Sequence, residues 1–214
     1  MPAPAVGDGV PRPRVRMSGP QRREQLVAVG RAVFAERGYE ATSIEELAVR
    51  ADVSKPVVYE HFGGKEGLYA AVVDREMQRL LDRFTAALAD GGGPRALLER
   101  AALALLDYVE DHTDGFRVLS RDSPAAGSYS SLLGEIARRV EHLLAEQLSA
   151  RGYDPQPADL YSQALVGMVA LVGQWWLEHR TPAKEEVAAR LVDLAYSGLS
   201  RLDPHPVLRT RGPA

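Results

Sequence analysis

The chain contains no cysteine, which excludes disulfides, thiolate metal sites and a cysteine nucleophile. That absence fits a reducing cytoplasm, the compartment expected here, though exported chains also do without the residue. Its five histidines have no metal-ligand spacing among themselves or with acids, and Gly63-Gly64-Lys65-Glu66 lacks the upstream glycine and the following Ser or Thr of a phosphate loop. No metal, cofactor or catalytic activity is expected. Alternation of apolar and polar residues, the mark of a strand, is absent, and no internal repeat is visible. The N-terminus has no apolar run of signal-peptide length, since residues 1–20 are rich in Pro and Gly and carry Arg12, Arg14 and Arg16. Long uncharged stretches are scarce too. The exception, Leu160 to Leu177, runs 18 residues without a formal charge but includes Tyr161, Ser162, Gln163 and Gln174. It reads as a helix buried by protein on most sides rather than as a membrane span.

What is present is charge, unevenly placed. The net charge of -3 divides into ten Lys or Arg against nine Asp or Glu in residues 1–66, and 16 against 20 in residues 67–214. Arg12, Arg14, Arg16, Arg22 and Arg23 put five cations into twelve residues with no acid among them. By itself such a run is a solvated tail. Beside a motif that docks on DNA, it is an arm able to follow the backbone or enter the minor groove.

Residues 42–62 hold such a motif. Ser43 with Glu46 three residues on is a capping box that satisfies two backbone donors reciprocally, and Ile44, Leu47, Ala48 and Ala51 form one apolar stripe on a 3.6-residue period. The pattern breaks at Asp52. Ser54 then caps a second short helix, with Val53 and Val58 spaced as a hydrophobic staple. Val58 and Phe62 hold its inner side while Lys55, Val57, Glu60 and His61 point away. Two helices over a tight turn, the second with a polar outer face, form the helix-turn-helix that seats its second helix in a DNA major groove.

The stretch from Ala41 through Thr42-Ser43-Ile44-Glu45-Glu46-Leu47-Ala48, Val53-Ser54-Lys55-Pro56-Val57-Val58-Tyr59-Glu60-His61-Phe62 and Lys65-Glu66 to Tyr69 resembles the tetracycline-repressor (TetR) family of bacterial transcription regulators. So does the helix before it, with Phe34 and Gly38-Tyr39. The resemblance implies an all-helical protein with a three-helix DNA-binding domain followed by a ligand-binding and dimerisation domain. It also implies a homodimer on a near-palindromic double-stranded operator. Tyr59 and His61 match positions that reach backbone phosphate, and Ser43 or Thr42 matches a contact at the start of the second helix. The sequence departs from the family pattern at Pro56-Val57 and at Glu60. Pro56 removes a backbone donor, and Glu60 is repelled by phosphate unless it faces a cytosine amino group or turns away.

Three helix starts carry cations where the dipole favours acids: Arg22 and Arg23, Lys55, and Lys65. A phosphate at each end would reconcile them; surface lysines kept for solubility are the plainer alternative. Lys55 and Val57 are the candidates for base edges, the first donating to guanine and the second touching a thymine methyl. Together with Ser54 these make the DNA-binding set.

About nine helices are expected. The first runs from about 20 to 37 and is stopped by Gly38. After the motif, a long one starts near 65 and ends at Gly91-Gly92-Gly93. Next comes 94–112, with Pro94 as its first-turn residue, then a break at 113–115 and a short piece over 116–121. The last three cover about 128–151, 159–179 and 182–201. The domains read as an arm at 1–19, a DNA-binding domain at 20–66, a body at 67–203 and a tail at 204–214. The family resemblance places a ligand pocket at the broken segment, walled by helices five to eight. Candidate lining residues are Leu105, Tyr108, Phe116, Tyr129, Leu133, Ile136, Met168, Val172 and Trp175; taken singly each is more often plain core than ligand wall, but aromatic and methionine surfaces around a discontinuous helix suit a mostly apolar cavity. Arg117, Arg121 and Gln163 are possible polar handles. Ala164, Gly167, Ala170 and Gly173, spaced by three, form a small-residue row that with the ninth helix resembles the family's dimerisation surface. A repressor released from its operator by a small apolar molecule is the leading expectation. A ligand-dependent activator and a helical interaction module that has lost DNA binding are the alternatives.

Overall fold

A computed structural model describes residues 17–89, 91–121 and 126–208, with side chains from 130 onward in the last segment. The arm cations Arg12, Arg14 and Arg16 lie outside the described residues. Among these, every regular element is a helix: α1 (Gly19–Arg37), α2 (Ile44–Arg50), α3 (Lys55–Phe62), α4 (Lys65–Ala89), α5 (Pro94–Asp111), α6 (Thr113–Ser120), α7 (Ala126–Ala150), α8 (Ala158–His179) and α9 (Lys184–Ser200). The all-helical reading holds, and so do most helix positions.

Local corrections have local causes. The reciprocal capping box sits one helix earlier than expected, at Ser18 and Gln21. Ser43 does accept from the Glu46 amide at 3.1 Å, but the Glu46 carboxylate is drawn away by Arg37 at 2.7 Å and Arg50 at 3.2 Å. Ser54 stands at the N-cap of α3 without making a side-chain cap bond. The sixth helix takes in Thr113 to Gly115, with Gly115 set against Glu76 of α4 and Tyr108 of α5.

The N-terminal cluster packs α2 and α3 against α1 and the start of α4 around Leu26, Phe34, Leu47, Val58 and Leu68, all buried. Phe34 and Tyr39 meet the Tyr69 ring edge-on, each with centroids 4.9 Å apart. Gly63, at φ +73°, is the left-handed cap that ends α3, a conformation glycine adopts without a Cβ penalty. Gly67 then fixes the angle between α3 and α4, since a Cβ there would stand 1.9 Å from the Phe62 carbonyl oxygen.

In the body α5 packs against α4, α6, α8 and α9, while α7 lies along α8 and also meets α4 and α6. Gly173 lets α8 close on α5: a Cβ there would lie 2.9 Å from a Leu105 methyl. The small-residue row does not form one face, because a step of three residues on a 3.6-residue helix falls short of a turn by about 60° and the row spirals. Ala170 and Gly173 turn inward, while Ala164 is exposed. Nor is α8 buried on most sides: it is long and apolar enough to cross a membrane by length and composition, and only 28% of its apolar window is covered within the chain. Leu160, Leu171 and Trp175 are left exposed, with Leu194 of α9. The adjacent Trp176 is buried and donates its indole N–H to the Pro182 carbonyl at 2.9 Å, whereas Trp175 is 44% exposed and stacks on His179 with centroids 4.7 Å apart.

Candidate nucleic-acid interface and interior cavity

The recognition helix α3 has an inner side and a free side. Val58 is fully buried, whereas Lys55, Pro56, Tyr59 and Glu60 are exposed, with Tyr59 at 54%. Residues 55 and 59, one turn apart, share an outward face. Lys55 is held in a salt bridge by Glu45 of α2; the ammonium, as that carboxylate's hydrogen-bond partner, keeps the Glu45 carboxyl below the ordinary range. Val57 is half-buried and packs against the core, so only part of its surface can meet a thymine methyl. Ser54 and Ser43 are exposed. Thr42 is not: it is 3% exposed and donates its hydroxyl to the Gly38 carbonyl at 2.7 Å. Between the two alternatives at the start of α2, the outward hydroxyl is therefore Ser43.

The remaining cations are engaged with the protein. Arg23 lies 4.3 Å from the Phe62 ring centroid and donates to the His61 carbonyl at 2.8 Å, clamping the end of α3 to α1. Arg22 donates to Gln25 at 2.6 Å, and Gln25 donates to the Ala51 carbonyl at 3.1 Å. Lys65 sits over the Tyr39 ring at 4.2 Å and donates to the Tyr39 carbonyl at 3.0 Å. The His61 ring is half-buried beside Phe62. For Arg23 and Lys65 these contacts answer the puzzle of cations at helix starts: carbonyl oxygens and aromatic faces of neighbouring elements attract them, which outweighs a dipole effect of about 0.3–1 kcal/mol.

The body holds two adjoining cavities between α4, α5, α7, α8 and α9. The inner one, about 80 Å³, is lined only by apolar residues, including Leu80, Leu105, Leu133, Ile136, Met168 and Val192. The outer one, about 370 Å³, shares Phe84, Leu98, Ala101, Val140 and Leu165 with it. Its polar residues are few: Gln147, Arg151, Tyr196 and Ser200.

Of the expected pocket residues, Leu105, Leu133, Ile136 and Met168 line the inner cavity. Tyr108 and Phe116 do not, being buried in the packing of α4, α5 and α6, with the Tyr108 hydroxyl donated to Glu76 at 2.8 Å. Val172 lies outside both linings, Trp175 is on the outer face of α8, and the Tyr129 side chain falls outside the described residues. The cavities sit away from α6 because that helix serves the head instead: Arg121 donates to the Ala35 carbonyl of α1 at 2.7 Å, so it is not a ligand handle. Arg117 and Gln163 also lie outside both linings. Sequence reasoning missed Arg151 and Gln147, whose four-residue spacing at the end of α7 placed both on one face.

Residues 26–72 match the model of the bacterial regulatory proteins of the tetR family, and residues 94–198 match that of the tetracyclin repressor-like C-terminal domain. The HTH-type transcriptional activator FasR of Mycolicibacterium smegmatis is 30% identical over 190 residues, covering 87% of each chain. A TetR-like transcriptional regulator from Rhodococcus sp. RHA1 superposes with TM-score 0.72 at 29% identity, over 86% of this chain and 99% of that one. The fatty acid degradation regulator FadR of Bacillus halodurans shares the fold, with TM-score 0.71 at 17% identity over 84% and 96% of the two chains.

Proposed function

This chain belongs to the tetR family of bacterial regulatory proteins, whose members are DNA-binding transcription regulators, and we propose that it is an effector-responsive dimer acting on a near-palindromic operator. Residues 20–66 form the DNA-binding head, residues 67–203 the effector-binding and dimerising body, and 204–214 a tail; it works beside the DNA, in the cytoplasm. The observation that carries this reading is the two-sidedness of α3, with Val58 locked inside and Lys55 and Tyr59 left for the groove. Tyr59, Ser43 and Ser54 serve phosphate, and Lys55 and the exposed part of Val57 serve base edges. Arg22, Arg23 and His61 brace the surface and present the N–H groups their internal bonds leave free, while Lys65 braces it through Tyr39.

The uncovered stripe of α8 and α9, with Leu160, Leu171, Trp175 and Leu194, supports a four-helix contact between two copies. Two-fold symmetry then sets the half-sites about one helical turn, ~34 Å, apart or a multiple of it. Cavity shape favours a chain-like effector. The inner compartment of about 80 Å³ is smaller than the roughly 150 Å³ that houses a benzene ring, so it admits the end of a hydrocarbon chain rather than fused rings. Arg151, which has no carboxylate partner among the described residues, stands at the polar end of the outer compartment and suits an acidic head. Effector binding releases the operator by a population shift, making the protein a repressor wherever the operator overlaps a promoter. A second reading, activation, is favoured by the relative named a transcriptional activator.

Selection of bound fragments from random DNA at low and high salt tests the function: recovery of an inverted repeat supports it, and no enrichment by a folded dimer overturns it. Hexadecanoate against hexadecanol, read as a melting shift and as operator release, tests the effector class.

A further inference from the structure

Four helices meet on one carboxylate. Glu76 of α4 is 1% exposed. Its Oε1 accepts from Arg79 of the same helix at 2.6 Å and from Arg31 of α1 at 3.5 Å. Its Oε2 accepts from the Tyr108 hydroxyl of α5 at 2.8 Å. Helix α6 joins through Gly115, where a Cβ would stand 2.2 Å from Glu76 Oε2 and 2.8 Å from the Tyr108 oxygen. A methyl there would force the Glu76 carboxylate or the Tyr108 hydroxyl to move. Burying such a charge is costly, and a well-packed apolar set of the same volume is often at least as stable, so stability is a weak reason for it; registry is the better-attested one.

The four partners are not equivalent. Arg31 belongs to the head, whereas Tyr108 lies one turn from Leu105, a wall of the inner cavity. The Arg31 contact is the longest, and Arg31 Nε is buried without a hydrogen-bond partner. The head is thus the loosest attachment to the node, while the α4, α5 and α6 attachments are tight.

We propose that Glu76 is a positioning residue for operator binding, setting the angle of the α1–α3 head to the cavity-bearing body through Arg31. An occupant of the inner cavity that displaces α5 shifts Tyr108, and with it the carboxylate that the head rests on. This rests on the reading of α3 as the DNA-binding helix.

The test uses the full chain. As there is no native cysteine, Glu40→Cys in the head and Ser149→Cys at the end of α7 are spin-labelled as a pair and diluted with unlabelled protein, so that only intrachain distances are read. Unlabelled protein gives the ratio of operator to random-duplex affinity. In Tyr108→Phe, Arg31→Gln and Gly115→Ala the head-to-body distance distribution is expected to shift or broaden, and the affinity ratio to fall by about tenfold, within the usual range of site coupling. A merely structural role would lower the melting temperature and leave distribution and ratio unchanged, overturning the proposal. If Gly115→Ala does not fold, the two variants that each remove one bond decide alone. If the unsubstituted chain prefers no sequence, the operator reading fails, and the label distances still judge the node.

Discussion

Lys65 and Tyr39 are joined twice, by the ammonium over the ring at 4.2 Å and by its hydrogen bond to the Tyr39 carbonyl at 3.0 Å. The cation that opens α4 thus fastens it to the turn after α1. Lys65→Met should cost about 1–2 kcal/mol of stability in urea unfolding and change the salt dependence of DNA binding little. Unchanged stability with a salt slope reduced by about one would reassign Lys65 to phosphate.

Gly67 touches backbone, where nothing flexible can yield: a Cβ there meets the Phe62 carbonyl oxygen at 1.9 Å. Gly67→Ala should improve helix propensity by about 1 kcal/mol, yet destabilise the head by about 3 kcal/mol or more. Thermal unfolding and operator binding should both reveal the loss; a variant as stable as the parent would refute the close approach.

Glu45 acts as a built-in counter-ion for Lys55. Glu45→Gln frees that ammonium, so affinity for random duplex should rise and its log–log salt slope should steepen by about one. A titration over several salt concentrations settles it, an unchanged slope being the adverse result.

On the recognition helix, Tyr59→Phe should weaken every DNA sequence alike, because a phosphate contact carries no base information. Val57→Ala should instead change the preferred base at one position in each half-site by about 1–3 kcal/mol. Uniform effects from both in a binding-site selection would undo the division of roles.

Acid should loosen the surface ties between helices. Hydrogen bonds from Arg75, Arg50 and Lys55 hold the carboxyls of Glu24, Glu36 and Glu45 below the usual 4.5. Depressed folded values give stability that is present above pH 4.5 and lost as pH falls through the lowered values. Melting temperature should therefore fall in two stages: a first below about pH 6.5, where burial holds the His112 imidazole below its ordinary value and protonation favours the unfolded chain, and a second below about pH 5 from these carboxyls, the second being less steep in Glu24→Gln.

Most of the fold was legible because helices advertise themselves locally, through apolar spacing, caps at Ser43 and Ser54, and glycine stops at 38, 63 and 91–93. The motif was equally plain, since its residues are consecutive. What stayed hidden was whatever depends on elements meeting across the chain. Glu76 reads as a solvated helix residue until Tyr108, Arg31 and Gly115 are brought to it from three other helices. Thr42 and Ser43 look interchangeable in sequence, and only the fold turns one hydroxyl to Gly38. The pocket was legible in part: Leu105, Leu133, Ile136 and Met168 line the inner cavity, whereas Tyr108 and Phe116, the aromatic residues expected beside them, are used up in joining α4, α5 and α6.

Trp175 and Trp176 are the chain's two tryptophans, consecutive yet facing different surroundings, since neighbours on a helix point about 100° apart. The native emission is consequently a sum of a blue component, fixed by the sealed Trp176, and a red one from Trp175 on the open face of α8. The first serves as an internal reference for the second. Diluting the unlabelled protein should let the red component grow against the blue at the concentration where two copies part, giving an optical readout of assembly.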